Sequence, residues 1–361
     1  MAPKLKSKKK LKARRVSRQT IGPPNSTGFA ALPAELLLEI ISYLPRFPVP
    51  CNYLNLPMTT TTNTRQETLL VLIQLCRSFR HALVHRLWEE MVLCSLHGGQ
   101  MNTTTNPDWM RHSCALRQRK HCNSCERYLA HEIVAQLETV TVRGPDYATR
   151  IQTLSIFLLG YSATTTVPEF ARCLALLPNL KTLQLHYNIS SDVLDRSVQN
   201  AFSQYQYQNI QTLVVPCVRG SARVLKACPN VHHLHFTSIA GLFSAPGYDP
   251  DTFPNVKKFT GMDPIQDQFQ FCDVLPNLKY VQVRTRGPSN AGPLIDAHIY
   301  VETRLAQLLE LEVIEIAIMH PKAKQEAEIL RNTADAFLAK IPDVFGICRR
   351  VEMCDYTTRP D

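Results

Sequence analysis

Metal binding and proton transfer need imidazoles, thiols or carboxylates held close together, and two stretches of this chain offer them. The first is His232, His233 and His235. In a strand that buries Leu234 and Phe236, His233 and His235 point to the same opposite face. Two such imidazoles can hold a metal or titrate near neutral pH. They also suit a polar binding surface, and no carboxylate stands near them in sequence to orient them. The second stretch is Cys122-Asn123-Ser124-Cys125, which has zinc-ligand spacing, with His112, Cys114, His121 and His131 loosely around it. A structural zinc takes two such pairs and only one is present, so free thiols in a loop are the alternative. No Walker loop, dinucleotide glycine pattern, nucleophile elbow or HExxH occurs, and thirteen glycines leave little for phosphate cradles. The reading is a protein without catalytic residues, cofactor or metal.

The chain has 361 residues, 45% hydrophobic and 19% charged, which suits two or three globular domains. No apolar run approaches the roughly 18 residues of a membrane span, and the basic N-terminus is not followed by an apolar signal core. The expectation is an intracellular chain with reduced cysteines. Its net charge of +10 is concentrated in residues 1 to 18, where nine lysines and arginines stand with no acid, and the remainder is close to neutral. Residues 1–27 therefore read as a disordered tail. Lys8, Lys9, Lys10, Arg14 and Arg15 have the look of a nuclear-import signal, with polyanion contact or solubility as alternatives.

These groups need elements to position them. Leu32, Leu36, Leu37, Ile40, Ile41 and Leu44 recur at helical spacing, with Pro33 suited to the first helical position and Pro45 to the end. A second amphipathic helix is expected from Thr64, with Glu67 completing a capping box, through Leu69, Leu72, Ile73, Cys76, Phe79, Leu83 and Leu87. Trp88 lies at its end or on a third short helix. Between them, residues 46–63 carry Pro48, Pro50, Pro57 and four consecutive threonines and read as an exposed loop. So much leucine on so few residues exceeds what the helices can hide among themselves, which implies a partner.

The Leu32-Pro33 opening, the Glu35-Leu36-Leu37 and Glu39-Ile40 run, Cys76-Arg77-Ser78-Phe79-Arg80 and the Leu87-Trp88-Glu89 close resemble the F-box as found in many fungal proteins. The resemblance implies docking onto the Skp adaptor of a cullin-RING ubiquitin ligase. The residues it assigns to that contact are Leu32, Pro33, Leu36, Leu37, Ile40, Leu44, Leu72, Cys76, Phe79, Leu83, Leu87 and Trp88. The insertion at 46–63 departs from the family's compact pattern.

From about Arg150 an apolar residue returns with others three and five positions later: Ile151, Leu154, Ile156; Leu180, Leu183, Leu185; Ile210, Leu213, Val215; Val231, Leu234, Phe236; Leu278, Val281, Val283; Leu311, Ile314, Ile316. Val256 and Phe259 begin a further copy in which Gly261 takes the last position, and copies start 21 to 33 residues apart. Pro-Asn pairs at 178–179, 229–230, 254–255 and 276–277 precede four of them. Helical stretches are expected over 167–177, 221–228 and 267–275. Helix, turn and strand units of this kind must stack to cover their apolar faces. A last helix, 321–340, puts Ala323, Ala327, Leu330, Ala334, Phe337 and Leu338 on one face and can cap the stack together with Val351 and Met353.

This half resembles the degenerate leucine-rich repeats that follow the F-box in the same fungal proteins. The expected fold is α/β: a small all-helical F-box over 28–95, a connector over 96–135, and over 136–361 an irregular leucine-rich-repeat solenoid with inner parallel strands and outer helices. The expected function is substrate recognition in a Skp-cullin-F-box ubiquitin ligase of the nucleus and cytoplasm, with a protein substrate and no membrane. A non-degradative scaffold, or a nucleic-acid-associated factor acting through the tail, are alternatives. By strand alternation, Gln184, Val214, His235, Gln282 and Glu315, joined by His186 and Arg284, are expected on the open face, exposed and contacting substrate.

Overall fold

In a computed structural model of the chain, the described residues are 32–44, 46, 64–93, 123–158, 160–187, 192–217, 219–239, 253–262, 275–285, 308, 310–318, 324–339 and 349–355. The basic tail, all but the first residue of the 46–63 insertion, the first part of the connector and all but the last residue of the helix expected over 267–275 lie outside them.

Helix α1 spans Ala34–Ser42. Pro33 is its N-cap rather than its first residue, and its carbonyl accepts from Leu37 N at 3.1 Å. The single helix expected from Thr64 is instead two, α2 (Thr64–Leu75) and α3 (Arg77–Leu87). The chain breaks at Cys76, which is fully extended (φ −155°, ψ 165°) and whose Sγ accepts from Phe79 N at 3.5 Å, capping α3. The side chains of the expected capping box, Thr64 and Glu67, lie outside the described residues. Leu37, Ile41, Leu69, Phe79, Leu83 and Leu87 form a small closed core among the three helices.

Helix α3 runs directly into β1 (Glu90–Leu93), the first strand of a sheet that among the described residues has nine strands, all parallel, in the order of the chain. The sheet thus begins inside the segment read as F-box. The segment read as connector is helical from Asn123: α4 (Asn123–Glu138) buries Ala130, Ile133 and Leu137. A π-helical turn (Thr139–Arg143) and the short α5 (Pro145–Ala148) follow.

Then come β2 (Thr153–Leu158), α6 (Ala163–Leu174), β3 (Thr182–Tyr187), α7 (Asp192–Phe202), β4 (Thr212–Cys217), α8 (Arg219–Ala227), β5 (His233–Ile239), β6 (Lys258–Met262), β7 (Tyr280–Thr285), β8 (Val313–Ile318), α9 (Lys324–Leu338) and β9 (Arg350–Asp355). Helix α6 starts four residues before the expected Val167. Pro168 lies in its second turn on the exposed side, where water can serve the carbonyl its missing N–H leaves unbonded. Among the described residues no helix is long and apolar enough to cross a membrane.

The apolar triplets make the core. Leu154, Leu183, Leu213, Leu234, Phe259, Val281, Ile314 and Val351 follow one another in register across eight strands. All but the last are buried, and they pack with Val167, Phe170, Leu194, Phe202 and Leu225 of the helices. Withdrawal of such a side chain from water contributes about 1.5–3 kcal/mol. The asparagines ahead of the strands add a polar ladder: the amides of Asn179, Asn209, Asn230, Asn255 and Asn277 donate to the carbonyls of Thr149, Pro178, Gln208, Pro229 and Pro254, at 2.5 to 2.9 Å. Each unit is thereby tied to the one before it. Asn209 belongs to this set although no proline precedes it.

One register expectation is corrected. Gly261 does not fill the third triplet position of β6. It has φ +84°, a conformation suited to glycine, and the pairing shifts so that Met262 faces Val283. A Cβ at Gly261 would lie 2.2 Å from the Phe236 carbonyl. In α9, Ala327 and Leu330 pack with Ile316 and Ile318, beside Val351 and Met353.

Candidate functional sites

The residues expected to meet an adaptor divide into three classes. Leu37, Phe79, Leu83 and Leu87 are buried in the three-helix core, Phe79 to 2% exposure, and are not available to a partner. The sequence shows that these residues are apolar at helical spacing, but the same spacing serves an internal core and an interface equally. Leu32, Leu44, Leu72, Cys76 and Trp88 are half-buried. Pro33, Leu36 (52%) and Ile40 (47%) are exposed, and Tyr43, three residues beyond Ile40, is more exposed still. Leu36, Ile40 and Tyr43 recur four and three residues apart and so form one stripe along α1. On α2, Leu70, Val71 and Leu75 are also exposed. These three and Tyr43 were not among the expected contacts. Leu75 shares the signal of the others, since it stands just before the chain break.

Trp88 packs inward. Its ring stacks on Tyr147 and touches both the helical core and the main core. Beside it the buried Arg65 guanidinium reaches Glu90 at 3.4 Å and Glu89 at 3.9 Å, and Arg86 holds Glu89 at 2.6 Å. The backbone carbonyl of Glu89 accepts from both Gln152 and Thr153 N–H.

On the sheet, Ser155, Gln184, Val214 and His235 follow in register along the face away from the helices, with Thr260, Gln282 and Glu315 continuing the row. The expectation that this row is exposed is corrected. Gln184, Val214, His235 and Glu315 are buried, as is His186 of the next row, while Gln282 and Arg284 are half-buried. In-register side chains of a parallel sheet stand about 4.8 Å apart, so each is walled in by its neighbours. Polar ones also bond to those neighbours.

His233 and His235 do share a face, and both contact Thr260 Oγ1, at 3.0 Å from Nε2 and 2.6 Å from Nδ1 respectively. Arg284 Nη2 stands 2.9 Å from His235 Nε2. A guanidinium only donates, so His235 Nε2 accepts, its proton sits on Nδ1, and Nδ1–H donates to Thr260. The Thr260 hydroxyl can then donate to His233 Nε2. The chain Arg284, His235, Thr260 therefore requires the His235 imidazole neutral, and a neutral His233 completes it by accepting from Thr260.

Their titration agrees with that polarity. Burial pushes His186 down to about 3, and burial with the Lys258 charge pushes His233 down to about 4. His235 lies well below its ordinary value through burial, then the charges of Arg284, His233 and His186. A second branch runs from Gly261 N to Gln282 Oε1 at 3.3 Å and from Gln282 Nε2 to Glu315 Oε1 at 2.7 Å. Among the described residues no three histidines, cysteines or carboxylates converge as a metal site. His232 points outward and is exposed. Cys122, the side chain of Cys125 and the expected import residues Lys8, Lys9, Lys10, Arg14 and Arg15 lie outside the described residues.

Partly accessible along its whole length is the row two residues earlier: Thr153, Thr182, Thr212, His233, Lys258 and Tyr280, all half-buried and in register. Lys258 Nζ sits 4.0 Å over the Tyr280 ring. Its signal was present as the recurring Thr-Leu dipeptide at 153, 182 and 212. Compared with known proteins, the chain matches no family model and no curated protein at a significant level.

Proposed function

We propose that the protein is a non-catalytic substrate receptor of a cullin-RING ubiquitin ligase. The helices α1 to α3 act as an F-box that docks on the Skp adaptor, and the sheet and its helices act as a leucine-rich-repeat-like solenoid that binds the protein to be modified. The observation that carries the reading is the stripe of Leu36, Ile40 and Tyr43, large apolar side chains left exposed on a helix whose other face is already closed in a core. The strictly sequential order of nine parallel strands, each tied to the last by an asparagine amide or a backbone bond, supports the repeat assignment.

The receptor works by proximity. A substrate held on the sheet raises the effective concentration of its lysines at a ubiquitin-charged enzyme on the same scaffold. Within the chain, the buried row fixes the shape of the inner face, and the half-buried row beside it makes contact. Co-purification of the Skp adaptor with the wild-type chain, and its loss on Ile40→Asp, is the test.

A further inference from the structure

The edge of the sheet where the strands begin carries a charge pattern that the nearly neutral body conceals. The six turns leading into β2 to β7, residues 149–153, 178–182, 208–212, 229–233, 254–258 and 276–280, contain no aspartate or glutamate. They contain Arg150, Lys181, Lys257, Lys258 and Lys279. Successive backbone bonds, Lys181 N to Gln152 O, Gln211 N to Lys181 O, His232 N to Gln211 O, Lys257 N to His232 O and Lys279 N to Lys257 O, set these positions side by side. Gln152, Lys181, Gln211, His232 and Lys257 are all exposed. One residue further in lie the three threonine hydroxyls, His233, Lys258 and Tyr280.

Most acids at the two ends of this edge are paired, and Glu310, beyond Lys279, lies outside the strip. Glu89 and Glu90 face Arg65 and Arg86, and Glu312 faces Lys279 at 2.9 Å. Among the described residues Lys181, Lys257 and Lys258 are in no ion pair, so the strip between the flanks keeps a positive potential. From Gln152 to Lys279 it spans five strand steps, about 24 Å, the length of roughly seven residues of extended chain.

We propose that this edge is a docking strip for an acidic, extended segment of a partner protein. Its lysines would meet carboxylates, and its amides and hydroxyls would donate to carboxylate or carbonyl oxygens. A single-stranded nucleic acid is disfavoured, because such sites stack successive bases on aromatic rings, and of the rings on this edge Tyr280 lies under the Lys258 ammonium and His233 is bonded to Thr260, which leaves the His232 imidazole as a single platform. Complementary charge of this kind sets encounter rate and partner choice. The inference adds a partner class to the receptor reading, and its test contains no adaptor, so either can fail alone.

The experiment measures binding of the full chain to a labelled peptide of about twelve alternating glutamates and serines, at physiological ionic strength, with an oligothymidylate of the same length in parallel. Lys181→Glu/Lys257→Glu should weaken peptide binding by about tenfold or more, with an unchanged melting temperature because both side chains are exposed. Neutralising Lys8, Lys9, Lys10, Arg14 and Arg15 to glutamine should leave an affinity that still falls on adding the two edge substitutions. Equal peptide binding by wild type and edge variant overturns the proposal, as does edge-dependent binding of the oligonucleotide that exceeds that of the peptide.

Discussion

Trp88 stacks on Tyr147 with ring centroids 4.8 Å apart and planes inclined by 12°. Trp88 caps the C-terminus of α3, and Tyr147 lies in α5 just before β2, so the stack joins the three-helix unit to the sheet. With Arg65 bridging to Glu89 and Glu90, the two apolar cores meet at one ring. An F-box resemblance assigns Trp88 to the adaptor, but the ring packs within the chain.

Trp88→Ala is therefore expected to cost about 2–4 kcal/mol and to uncouple the units. Calorimetry should show one transition for the wild type and two for the variant, with α1 to α3 melting first. Trp88→Phe should keep one transition. Splitting absent from the alanine variant would mean that the joint lies elsewhere.

Acid should weaken the fold earlier than carboxylate titration alone would. His186, His233 and His235 are held below their ordinary values chiefly by burial. The unfolded chain therefore binds protons at these sites first, as pH falls below about 6.5. Stability is fully present above that pH and is lost as pH falls toward about 4 for His233 and about 3 for His186. In that window each histidine contributes a slope of about 1.4 kcal/mol per pH unit. Melting temperature should drop between pH 7 and 5, and His186→Gln should flatten the drop. A flat wild-type profile over this range would contradict the buried neutral pair.

Gly261→Ala should destabilise by about 1–3 kcal/mol, from the positive φ alone. The added methyl also meets the His235 ring at 2.9 Å and the Phe236 carbonyl at 2.2 Å, so it should disturb the His235 to Thr260 bond. The His235 ring proton resonances, followed by NMR, report that disturbance directly. Unchanged resonances and stability would show that the bulge is not needed.

Much of the sheet was legible in the sequence. The triplets from Ile151 to Ile316 are the buried register of the strands, because a side chain's alternation follows from the pleat whatever surrounds it. Alternation assigns a face, however, and does not say whether that face is covered. Gln184 and His235 were placed on the correct side and still expected to be exposed. The bulge at Gly261 escaped for a related reason, since a period-two count assumes no residue is inserted. The break at Cys76 depends on a thiol accepting a backbone bond, a weaker cap than the serine or aspartate that would have marked it. On α1 and α3, spacing found the apolar residues but could not divide Phe79, turned in, from Ile40, turned out.

That division supplies the most direct test of the receptor reading. The affinity of the Skp adaptor should be measured for the full chain and for Leu36→Asp/Ile40→Asp, two exposed positions whose change leaves the core formed by Phe79 and Leu83 intact. If the stripe holds the adaptor, the double variant loses about thirtyfold or more in affinity, the roughly 2 kcal/mol of an interface anchor, and melts at the wild-type temperature. Wild-type affinity in the folded double variant, or no adaptor binding by the wild type, would contradict it.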